Sequence, residues 1–70
     1  MTTSNLMRRQ RGKRLIALYE ELTAPNGYDE PFDLLAADAI ADILHYVGDK
    51  PDVNPALVAD RAVNNYMDEL

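Results

Sequence analysis

Asp38, Asp42 and His45 stand at i, i+4 and i+7, a spacing that sets two carboxylates and an imidazole on one side of a helix, a turn apart. Carboxylate oxygens and an imidazole nitrogen can hold a hard or borderline divalent cation. A neighbouring carboxylate can also fix which ring nitrogen of the histidine carries its proton. Three ligands on one helix leave a coordination shell open unless a second helix adds donors. The face is therefore read as an acidic binding surface, with no metal and no cofactor assigned to it. A second group has the opposite sign. Arg8, Arg9, Arg11, Lys13 and Arg14 crowd into residues 8–14, where they could neutralise phosphates with release of counterions or meet carboxylates on a protein. No aromatic residue interleaves them and no recognisable nucleic-acid-reading motif accompanies them.

The elements that must position these groups are helical. Residues 31–47 form the clearest amphipathic stretch: Phe32, Leu35, Ala36, Ala39, Ile40, Ile43, Tyr46 and Val47 fall on one arc at about 100° per residue. Asp38, Asp42 and His45 take the other arc. Asp29 and Glu30 ahead of Pro31 mark the start, and Gly48, able to take a left-handed conformation, with Pro51 beyond it, marks the stop.

The first helix is expected from about residue 5 or 13 to residue 23. Gly12 costs about 1 kcal/mol against alanine and weakens the case for any earlier start. Residues 1–12 are then a basic arm, frayed unless Thr3 or Ser4 caps it, and residues 13–70 a single helical domain. Leu15, Leu18, Tyr19 and Leu22 form the face expected to pack inward, and the same face extended backwards carries Arg11 and Arg8. Asn26-Gly27 is the expected turn, with Tyr28 laid over the end of the core. Asn54-Pro55 repeats the opening of a helix, asparagine as cap and proline in the first turn, and residues 55–68 form the third element. Its arc joins Val58, Ala59, Ala62, Val63, Tyr66 and Leu70. Three amphipathic helices on short turns make an all-α fold, expected as a small three-helix bundle.

Composition narrows the function. The net charge of −5 is unevenly placed: residues 1–14 hold five bases and no acid, while Lys50 and Arg61 face all twelve acids in the remainder. Without cysteine there is no disulfide, no thiolate zinc site and no thiol catalysis, and the expected compartment is a reducing cytoplasm. No apolar run approaches the roughly 18–20 residues that span a bilayer, so no membrane partner is expected. Seventy residues with an alanine-rich core gain only a few kcal/mol from burial, which points to self-association or to a core completed on a partner.

Glu20-Glu21, the stretch Asp38-Ala-Ile-Ala-Asp42-Ile-Leu-His-Tyr-Val and the segment Asp52-Val-Asn-Pro-Ala-Leu-Val together resemble the all-helical nucleotide pyrophosphohydrolases of the MazG type. That likeness covers about half of the chain and implies magnesium held between an acidic pair and a second acidic helix. Ala39 stands where the family carries its glutamate, and no third acid follows Glu20-Glu21 on the same helix.

The expectation is a non-catalytic protein acting through a protein partner or a second copy, in the manner of small acidic phage or mobile-element accessories and inhibitors. Nucleic-acid binding through the basic arm is one alternative, and a reduced MazG-like hydrolase is the other.

Overall fold

The computed structural model describes the backbone of residues 3–23 and 30–70 and the side chains of residues 5–23 and 30–70. Three helices follow in order, α1 (Thr3–Thr23), α2 (Phe32–Gly48) and α3 (Pro55–Asp68). No strand occurs among the described residues, so the protein is a small all-α fold with the three elements that a three-helix bundle requires. The Asn26-Gly27 turn, the Tyr28 ring, Asp29 and the side chains of Thr3 and Ser4 lie outside the described residues. The chain divides into two compact units, Met1–Ala39 and Ile40–Leu70, and the division falls inside α2.

In the first unit, α1 starts ahead of both expected positions, so residues 3–12 continue the helix. Gly12 does not interrupt it: a cost of about 1 kcal/mol against alanine does not break a 21-residue helix with good helix formers on both sides. A Cβ built at Gly12 meets nothing within 4 Å. At the other end the Thr23 hydroxyl donates to the Tyr19 carbonyl at 2.8 Å, a bond back onto the last turn. No acid lies in the first turn of α1 and no base in its last, so its charges run against the helix dipole. Asn5, Gly12, Ile16 and Tyr19 are the half-buried positions of α1, a narrow stripe along one side. Leu15, Leu18 and Leu22, expected to face inward, are exposed. Helical period identifies an apolar arc without saying whether a neighbour covers it, and here the covered arc lies beside the leucines.

The first half of α2 holds the buried positions. The Pro31 carbonyl accepts from the Leu35 N–H at 3.0 Å, which places the proline as the residue before the helix, one position later than expected. Asp33 in the first turn suits the positive helix end. Leu35, 7% exposed, and Ala39, 8% exposed, lie one turn apart and are the only buried hydrophobic residues among those described. Phe32, expected on the same inner arc, is 69% exposed.

The second unit begins with the rest of α2, whose Ile40, Ile43 and Tyr46 are exposed against expectation. Gly48 ends the helix without a left-handed backbone. Instead, the Asp49 N–H donates to Tyr46 at 3.1 Å and the Lys50 N–H to Val47 at 3.0 Å, so i→i+3 bonds tighten the last turn and satisfy those carbonyls. The Lys50 ammonium stands 4.8 Å from the centroid of the Tyr46 ring, within cation–π range. Asn54 caps α3 as its sequence demands: its Oδ1 accepts from the Ala56 N–H at 2.9 Å, its carbonyl accepts from Val58 at 3.1 Å, and Pro55 fills the first turn. The Glu69 N–H closes the far end on the Tyr66 and Met67 carbonyls. No residue of α3 is buried.

Candidate interaction surfaces

α1 turns the basic cluster into an ordered surface. Arg8, Arg9, Arg11, Lys13 and Arg14 are all exposed on one continuous helix. Successive steps of about 100° put Arg11 and Arg14 on the same side as Met7, Leu15, Leu18 and Leu22, while Arg9 and Lys13 project elsewhere. The result is a mixed face on which guanidinium groups are interleaved with, and followed by, aliphatic side chains. An open groove of about 560 Å³ runs along the basic half, lined by Met7, Gln10, Arg11, Lys13, Arg14 and Ala17. Such a face offers charge-assisted hydrogen bonds to oxygen anions and apolar contact along arginine stems and leucines.

The second surface is the apolar arc of α3. Val58, Val63, Tyr66 and Leu70 are exposed along it, with Ala59 half-buried between them. Asp60 borders this arc, and Asp49 and Asp52 precede it in the same unit. Residues 40–70 carry Asp42, Asp49, Asp52, Asp60, Asp68 and Glu69 against Lys50 and Arg61, so this apolar surface sits in an acidic setting.

Asp38, Asp42 and His45 are exposed on α2, with His45 in its last turn. Among the described residues no group of three or more His, Cys, Asp or Glu side chains could hold a metal ion. The spacing explains this: positions i to i+7 span about 10 Å of helix rise, too far to converge on one cation without donors from another element. Glu20 and Glu21 are likewise exposed and join no such group, so the magnesium set implied by the MazG-like stretches is not assembled among the described residues.

The basic cluster and the acidic face are thus placed on α1 and α2 as their spacing requires. What sequence reasoning missed is the exposure of the apolar positions, and one signal for it was present. Arg11 and Arg14 share the leucine face of α1, and arginine at a fully covered position would need a paired anion. The Tyr46–Lys50 contact was also missed, although its i, i+4 spacing is that of helical neighbours.

No helix among the described residues is long and apolar enough to cross a membrane. No family model, no curated protein and no solved structure matches this chain.

Proposed function

We propose that this protein works by binding another macromolecule through protein–protein contact, without catalysis, in the cytoplasm, as an accessory or inhibitory subunit. The observation that carries this reading is the imbalance of apolar exposure: among the described residues Leu35 is the one large side chain buried, whereas Leu15, Leu22, Phe32, Leu57, Tyr66 and Leu70 are each more than 60% exposed. Large apolar side chains left in water along helix faces are the raw material of an interface, and arginine and tyrosine among them are the residue types that anchor one.

The test is affinity capture from a native lysate at low and high salt, with and without nuclease, identifying both protein and nucleic acid. The expected result is a defined protein retained after nuclease and through high salt, and lost on Val63→Asp. Recovery of nucleic acid alone, released by salt, overturns this reading. It would favour the second one, in which the continuous basic helix of α1 contacts phosphates, since such binding falls steeply with ionic strength.

A further inference from the structure

We propose that one partner is a second copy of this chain, with the arginine–leucine face of α1 seated on the apolar face of α3 of the other copy, and the reverse contact made at the same time. This rests on the reading above that the exposed apolar faces are binding surfaces, and names what covers them. Its ground is charge. α1 carries Arg8, Arg9, Arg11, Lys13 and Arg14 against Glu20 and Glu21, whereas residues 40–70 carry six acids against Lys50 and Arg61. Two copies of α1 brought together would join ten bases to four acids, and two copies of α3 would join four acids to two bases. Pairing α1 with α3 of the second copy opposes unlike charge at both contacts and keeps like charge apart.

The apolar parts fit the same pairing. Leu15, Leu18 and Leu22 form the uncharged half of the α1 face, and Val58, Val63 and Tyr66 the centre of the α3 arc, all exposed. The arginine stems extend the apolar strip while their guanidinium groups reach the acidic border at Asp60. With both contacts made between the same two copies, the assembly closes as a dimer with two-fold symmetry and leaves no open end. It also covers apolar side chains of the second unit, in which no residue is buried.

The experiment uses the full chain and its lack of cysteine. Leu18→Cys and Val63→Cys proteins are made separately, mixed and oxidised, alongside sedimentation of the parent chain over a wide concentration range. The expected result is a concentration-dependent dimer, and disulfides between positions 18 and 63 of different copies formed in clear excess over 18–18 and 63–63. Arg11→Glu and Asp60→Arg should each weaken dimerisation about fivefold or more; mixing the two variants gives a heterodimer with one native and one charge-swapped contact, and combining them in one chain gives a dimer with both contacts charge-swapped, so each restores association. Circular dichroism checks that the helices persist. A chain that stays monomeric throughout overturns the inference, as does a dominant 18–18 disulfide. If that monomer still retains a defined protein in the capture experiment, the protein-binding reading survives; if it retains none, both fall.

Discussion

α1 and α3 are both helices with an exposed apolar face, yet they are held in opposite ways. α3 is closed by local bonds at both ends: Asn54 caps its start, Pro55 fills its first turn, and the Glu69 N–H satisfies carbonyls at its finish. α1 has a glycine in its middle and charges set against its own dipole, and what it has in return is length, 21 residues of mostly good helix formers. Capping makes a short helix possible without burial, whereas a long helix tolerates unfavourable local chemistry. The same difference separates their surfaces, since the short capped helix presents a continuous apolar arc and the long one an arc broken by arginine.

Several substitutions break or sharpen this contrast. The largest effect falls on neither helix directly. Leu35→Ala removes the one large side chain buried among the described residues and should cost about 2–5 kcal/mol, enough in a chain of this size to remove most of the helical signal seen by circular dichroism at room temperature. Both helices should then lose signal together; if α3 persists alone, its caps suffice without Leu35. Asn54→Ala acts on α3 only. Loss of the Oδ1 bond to the Ala56 N–H should destabilise by about 1 kcal/mol, seen as a lower melting temperature and faster amide exchange in residues 56–58, with Asn54→Ser near the parent. Gly12→Ala is the smallest change and has the opposite sign. With open space where the Cβ would stand, alanine should stabilise α1 by about 0.5–1 kcal/mol; a fall in melting temperature would mean that the bare backbone at Gly12 is used for close approach.

Legibility followed the range of the forces involved. Residues 55–68 were readable because an asparagine cap and a following proline act within one turn, and α3 occupies those residues. The ends of α2 moved by one position because Pro31 serves as the residue before the helix and Gly48 closes through i→i+3 bonds. The start of α1 was misjudged because the cost at Gly12 was weighed locally, although helix formation sums over the whole segment. Site residues were legible as faces and not as environments. Arg11 and Arg8 could be assigned to the leucine side of α1, and Asp38, Asp42 and His45 to one side of α2, from spacing alone. Whether Leu15, Leu18, Ile40 or Ile43 is covered depends on contacts distant in sequence, about which periodicity carries no information.

That only Leu35 and Ala39 are buried among the described residues also bears on how this protein responds to temperature. A seventy-residue domain ordinarily takes up about 0.8–1 kcal/mol/K on unfolding, because apolar surface newly exposed to water raises the heat capacity. Where most of that surface is wet beforehand, the increment shrinks, and with it the curvature of stability against temperature. The free chain should therefore melt over a broad range of temperature in calorimetry, and covering its helix faces should raise the heat-capacity change and sharpen the transition together.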